Sequence, residues 1–304
     1  MLKKVKRVYD RFNALAERLT RVQEALGRIE ARQIADVKCP QDAEFRVFSQ
    51  WGEDGIFQYL LRHVAVERKI FVEFGVENYV ESNTRFLLTH NHWSGLVMDG
   101  SEENINYIRA DPIYWASNLK AHRAFITIDN INELLLSNGI TGDIGLLSVD
   151  IDGNDYWVWD AINVISPRIV ACEYNSQFGP TAEITIPYEA NFVRDSVHYS
   201  KTFYGASISA LTSLALKKGY SLIASNSAGN NIFFVRNDLI AGLKVLTPLE
   251  AYRRAAFREF HDEQGQLTFE DFETRLGKIG NLEVVDLKTG NLTKISDLFE
   301  TEIF

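Results

Sequence analysis

The sequence predicts an α/β fold built on a doubly wound, mostly parallel sheet. Three observations carry this. From Phe45 onward, short apolar runs alternate with stretches of helical periodicity. One of these runs, residues 70–74, turns at Gly75 into a polar loop and then a helix, as the nucleotide-binding edge of such a sheet does. The runs also end in acids. Glu73, Asp99, Asp129, Asp150 and Glu173 fall at expected strand ends, the edge where open α/β sheets bind ligands.

In chain order, residues 1–33 form a helix with a coiled-coil repeat, and 34–44, with Pro40, read as a linker. Residues 45–240 hold the α/β domain. A helix over 56–64 precedes strand one at 70–74. A helix around 83–90 leads to strand two at 95–98, and a third extended segment covers 124–128. After a helix at 131–137 come strand four at 144–149, a helix at 156–162 and strand five at 168–172. Residues 175–204 are irregular and aromatic. A helix at 207–218 is stopped by Gly219. Strands at 221–224 and 231–235 then pair as a hairpin, which gives the sheet an antiparallel last strand. The extension 241–304 adds a helix over 252–260 and a hairpin around Thr289, Gly290 and Asn291.

The 304 residues leave room for one large domain plus additions. No apolar run is long enough to span a membrane, and the basic N-terminus has no contiguous apolar core of a secretory signal. Two cysteines, Cys39 and Cys172, make no disulfide framework, so a cytoplasmic chain is expected. The net charge of −9 is uneven. Residues 1–33 carry nine Lys/Arg against four acids, a balance of +5, which leaves −14 on the rest. An acidic body argues against nucleic acid as a substrate.

Val5, Val8, Phe12, Leu15, Leu19, Val22, Leu26 and Ile29 alternate at spacings of three and four, an a/d repeat over four heptads. The row is narrow, as a coiled-coil seam is, and predicts a homo-oligomer or pairing with a partner helix. A helix lying on its own domain and a basic helix on a membrane surface are the alternatives.

The loop after strand one carries Glu73, Glu77 and Glu81 but only one glycine. It would repel a pyrophosphate and suits a cationic nucleoside without phosphate, which points to S-adenosylmethionine, a sulfonium. Asp99 lies 24 positions after Gly75, where an acid accepts from ribose hydroxyls. Asp129 is placed for the adenine amino group, or caps the helix at Ile131.

Asp150, Asp152 and Asp155 crowd around Gly153 without the spacing of an EF-hand. Asp150 with Glu173 and Asn175 offers hard oxygen ligands for Mg²⁺ or another divalent cation. Such an ion would bind neighbouring hydroxyls, with Asp152 as general base. The alternative is that residues 152–155 form only a turn and helix cap. His198 is a rival base, and Cys172 reads as buried packing.

At these residues the chain resembles an S-adenosylmethionine-dependent methyltransferase of the FkbM-like or metal-dependent sugar O-methyltransferase type. The resemblance rests on the ordered motifs SQWGEDG at 49–55, FVEFGVE at 71–77, ESNTR at 81–85, WSGLVMDGS at 93–101, SVDIDG at 148–153 and NNIFFVR at 230–236. It implies a class I (Rossmann-like) methyltransferase domain with a seven-stranded sheet. It implies a cofactor set drawn from Gln50, Glu73, Gly75, Asn83, Asp99, Ser101, Asp129 and Asp150, with Glu73 and Gly75 by the methionine moiety and Asp99 by the ribose. Metal ligands map to Asp150, Glu173 and Asn175, with Asp152 as base. The single glycine of the loop and the Tyr174 between Glu173 and Asn175 depart from the family's pattern. The expected function is O-methylation of a sugar hydroxyl, in a polysaccharide or glycosylated natural product (EC 2.1.1). The aromatic stretch at 175–204 would face the carbohydrate acceptor. The helical seam would pair copies, or dock the enzyme on a glycan-assembly partner at the inner face of the membrane. The rivals are a metal-independent methyltransferase for a non-sugar acceptor and a non-catalytic assembly module on the same fold.

Overall fold

The computed structural model describes residues 2–240, 242–255, 257 and 260–299. Among the described residues, ten strands form two sheets. In chain order they are β1 (Ile70–Phe74), β2 (Ser94–Asp99), β3 (Leu119–Arg123), β4 (Gly142–Val149), β5 (Ile165–Glu173), β6 (Ile184–Thr185), β7 (Tyr220–Ser225), β8 (Asn231–Arg236), β9 (Glu283–Asp286) and β10 (Leu292–Lys294). The seven-stranded sheet runs β3-β2-β1-β4-β5-β8-β7. Its first five strands pair in parallel, and β8 is antiparallel to both its neighbours. This is a Rossmann-like doubly wound sheet with an antiparallel last strand. The strand order reverses between β1 and β4, so the topological switch point lies beside Gly75.

The central strands are apolar on both faces because both faces are covered. Phe71, Leu146, Ile169 and Phe233 point to a core shared with Phe57 and Phe86. Their neighbours in sequence, Val72, Leu147, Val170 and Phe234, point to a second core with Trp159 and Leu211. That alternation is the period of two expected of strands. Ser207 caps the helix Ile208–Lys218 by accepting from the Ala210 N–H, and Gly219 ends it in the left-handed conformation.

Two expected elements are corrected. The third strand lies at Leu119–Arg123 and not at 124–128. β3 is an edge strand that buries Leu119 and Ala121 while Lys120 and Arg123 face solvent, so its signal is alternation rather than an apolar run. Asp129 therefore ends no strand and lies exposed in a turn. The helix expected over 252–260 is absent at its start. The short helix Pro248–Ala251, closed by a Thr247–Glu250 capping box, gives way at Tyr252 to extended backbone. The Arg253 and Ala255 N–H groups donate instead to the Tyr174 hydroxyl and Ser176 Oγ. Residues 256, 258 and 259 lie outside the described residues.

The second sheet, β10-β9-β6, joins the irregular segment after β5 to the C-terminal extension. A third core fills the space between them, from Phe178, Ile184 and Phe203 to Leu276, Val284 and Phe299. Cys39 and Cys172 are unpaired, the latter fully buried. Among the described residues no helix is long and apolar enough to cross a membrane.

Candidate functional site

Gly75 sets the geometry of the site. Its φ is +67°, and a Cβ there would stand 1.7 Å from the Asp150 carbonyl oxygen. Only glycine lets the loop after β1 pass this close to the end of β4. The remaining turns of the loop are made without glycine. Glu77 (φ 47°) and Tyr79 (φ 62°) take left-handed conformations despite their side chains. The Glu77 N–H donates to Asp99 Oδ2 at 2.9 Å, and Tyr79 is buried with its hydroxyl 3.0 Å from Thr84 Oγ1.

A cleft of about 200 Å³ opens beyond the strand ends. Gly75, Glu77, Met98, Asp99, Gly100, Ala124, Phe125, Ile126, Ile151, Asp152, Asn154 and Phe192 line it. Asp99 is oriented by the Glu77 and Ser101 N–H groups and by Asn104 Nδ2. Of the expected cofactor residues, Gly75 and Asp99 line the cleft. Ser101 caps the helix Glu102–Ala110 beside it. Gln50 and Asp129 are exposed away from the lining, and Asn83 is buried, donating to Ser148 Oγ.

Glu73 is turned into the protein. It accepts from the Asn83 and Thr84 N–H groups and from the Thr84 hydroxyl, which in turn touches the Tyr79 hydroxyl. Burial pushes its carboxyl up to about 7, against the opposing pull of those donors. The folded chain then holds a proton that an unfolded glutamate releases near pH 4.5. Stability should fall as pH rises through that window. Between pH 5 and 8 the loss from this group is about 2–3 kcal/mol. Burial raises Asp54 to about 6, with the same sign. Half-buried His90 and His198, lowered by burial, oppose the trend below pH 6.5. Urea unfolding at pH 6.5 and 8 isolates the carboxyl contribution. A midpoint that does not fall would contradict it, and Glu73→Gln should flatten the slope.

The second element of the site is acidic. One carboxylate oxygen each from Asp150, Asp152 and Glu173 lie within 4.8 Å of one another. Asp150 follows β4 and Glu173 ends β5, adjacent strands in register. Burial, then the charge of Asp152, holds the Asp150 carboxyl well above the usual range. Burial, then Asp150, does the same to Glu173. Glu173 Oε2 is buried without a hydrogen-bond partner, an oxygen free to act as a ligand. Oxygen-only donors suit a hard divalent ion.

Asp155 makes the turn beneath this cluster. It accepts from the Ile151 N–H at 2.8 Å and the Gly153 N–H at 2.9 Å. That frees Asp152, at φ 55°, to point outward. Asn175 has other work. Its Nδ2 donates to the Thr202 and Tyr204 carbonyls and its Oδ1 accepts from the Gln177 N–H. It shapes the loop after β5, and Asp152 is the third acid of the cluster in its stead. His198 sits 2.7 Å from Ser200 Oγ in a local turn and lies in neither cleft nor cluster.

Sequence reasoning did not single out Arg194. Its Nη1 donates to Asp152 Oδ1 at 2.7 Å, its Nε to the Lys201 carbonyl, and its guanidinium lies 3.7 Å over the Tyr204 ring. Phe125 and Ile126, which the sequence reads as part of strand three, lie beyond β3 and line the cleft. The aromatic stretch is largely core. Phe178, Phe203 and Tyr204 are buried, Phe192 packs on Gly153 at the cleft, and Tyr188 and Tyr199 are partly exposed.

No protein-family model matches the chain, and no curated protein sequence matches it. Solved structures do. The N-terminal domain of EvdMO1, solved in the presence of SAH and D-fucose, is 13% identical over 66% of this chain and 84% of its own, with a TM-score of 0.40. An S-adenosylmethionine-dependent methyltransferase from Clostridium acetobutylicum is 10% identical over 60% and 90%, with a TM-score of 0.39. An O-methyltransferase from Bacillus cereus in complex with SAH is 14% identical over 55% and 74%, with a TM-score of 0.35.

Proposed function

We propose that the chain is an S-adenosylmethionine-dependent O-methyltransferase whose acceptor is a sugar hydroxyl, deprotonated with the help of a divalent cation. One observation carries the reading. Asp152 belongs both to the cleft and to the acid cluster, so a donor in the cleft and a hydroxyl at the cluster would meet at one carboxylate.

The chain's residues divide the work. Asp99 would accept from the ribose hydroxyls, and Met98, Ile126 and the half-exposed Phe125 give apolar and aromatic surface for the base. The acids around the cleft favour a cationic donor over its neutral product. Asp150 and Glu173 would hold the metal, with Asp152 beside it as the base. When bound, a divalent ion supplies Lewis acidity that lowers the pKa of a coordinated hydroxyl. Asp152, held at Oδ1 by Arg194, would keep Oδ2 for the proton. Alignment supplies the remainder of the rate. Phe192, which lines the cleft, would offer an aromatic face to sugar C–H surfaces.

Calorimetric titration with S-adenosylmethionine should show saturable binding, weakened about tenfold or more by Asp99→Ala. No binding at millimolar cofactor would sink the enzyme reading and favour the assembly module. Transfer to sugar acceptors should stop in EDTA and return with Mg²⁺. The Arg194–Asp152 pair favours one alternative, in which the guanidinium itself compensates the acids and no metal is needed. Transfer that survives EDTA but is lost in Arg194→Ala would select it.

A further inference from the structure

The helix Leu2–Gln33 is about 48 Å long at 1.5 Å per residue. Its last turns dock on the body. Gly27 is buried so tightly that a Cβ would stand 2.3 Å from Val47 Cγ2, and Gln23 Nε2 donates to the Val47 carbonyl. Thr20, Glu24 and Ala31 continue this partly buried line. At 3.6 residues per turn, the line lies roughly 140° around the helix from the heptad row.

The heptad row stays outside. Val5, Phe12, Leu15, Leu19, Val22, Leu26 and Ile29 are 50–71% exposed. The helix thus meets its own domain through a small and polar line, and its apolar row is not what lies on the domain. An apolar stripe of this length marks an interface, and its 3.5-residue period is that of a helix seam.

We propose that the occupant of this seam is a second copy of the chain, parallel and in register. The flanking charges set the orientation. With Val5, Phe12, Leu19 and Leu26 at a, the g positions are Lys4, Arg11, Arg18 and Ala25. The e positions are Tyr9, Ala16, Gln23 and Glu30. A fully overlapped antiparallel pair sets g against g and places Arg11 opposite Arg18 twice. A parallel pair sets each g against the e residue five positions on, so Lys4, Arg11 and Arg18 fall opposite the uncharged e positions 9, 16 and 23, and no like charges face each other. Apart from Gln23 at its edge, the docked line lies at b and f positions and points away from the seam, so both bodies sit outboard and leave it open. The isolated N-terminal half of such a helix is marginal in water, and pairing supplies the burial it lacks.

The test uses the full chain and does not depend on methyl transfer. Light scattering at micromolar concentration should give two or more chain masses. Leu15→Glu with Leu19→Glu should reduce this to one, with the thermal transition of the body unchanged. A wild-type monomer would overturn the proposal and point to a foreign, acidic helix as partner. An undiminished mass in the double variant would overturn the seam. In a Cys39→Ala background, Val5→Cys should form a disulfide-linked pair on mild oxidation. An oligomer that fails to cross-link there would overturn the parallel arrangement.

Discussion

Gly75→Ala is expected to leave the chain unfolded, or folded without a working cleft. The added methyl would collide with the Asp150 carbonyl oxygen at 1.7 Å and its carbon at 2.9 Å, on a residue at φ +67°. Neither side can yield easily. β1 and β4 are locked by the Phe71–Leu146, Val72–Leu147 and Glu73–Ser148 pairing, and both strands are buried on both faces. A collision of backbone with core of this kind costs about 4 kcal/mol or more. Gly142→Ala is the control. Gly142 has φ +66° with nothing within 4 Å, so alanine there carries only the left-handed cost of about 1–2 kcal/mol. Urea unfolding of the two variants should separate collision from conformation. Equal losses would mean that the approach of β1 to β4 is looser than described.

Asp150→Asn and Glu173→Gln are expected to move rate and stability in opposite directions. Both carboxyls are raised by burial, Asp150 further by the charge of Asp152 and Glu173 further by that of Asp150, so the charges are unfavourable where they stand. A neutral amide of the same shape relieves that repulsion, and each variant should gain about 1–3 kcal/mol of stability in the metal-free protein. Methyl transfer should fall by about 10²–10⁴-fold, because the amides lose the charge that holds a cation. Cofactor affinity should change little, since neither side chain lines the cleft. A rate within threefold of the parent, with the stability gain intact, would remove these acids from the chemistry.

The central strands were legible because burial on both faces writes them as unbroken apolar runs. β1 and the helix Ile131–Ser137 fall where the sequence places them. β3 was not, because an edge strand buries one face only and the apolar residues after it were the stronger signal. Strand-end position also says nothing of direction. Glu73 and Asp99 both sit at strand ends, yet one points into a buried network and the other into the cleft. Arg194 had no local signal at all. It reaches Asp152 from 42 residues away, and only the folding of the segment after β5 brings the two together.

The left-handed turns at Glu77 and Tyr79 have a consequence for how the cleft is held. A glycine-rich loop reaches such turns without strain, but it also samples many other shapes, folded or not. Residues bearing a Cβ restrict the unfolded chain and narrow the alternatives open to the folded one. The strain they accept is offset locally, by the Glu77 N–H on Asp99 and by the burial of the Tyr79 ring. The wall of the cleft is thereby stiff before any ligand arrives, and less ordering is left for binding to accomplish.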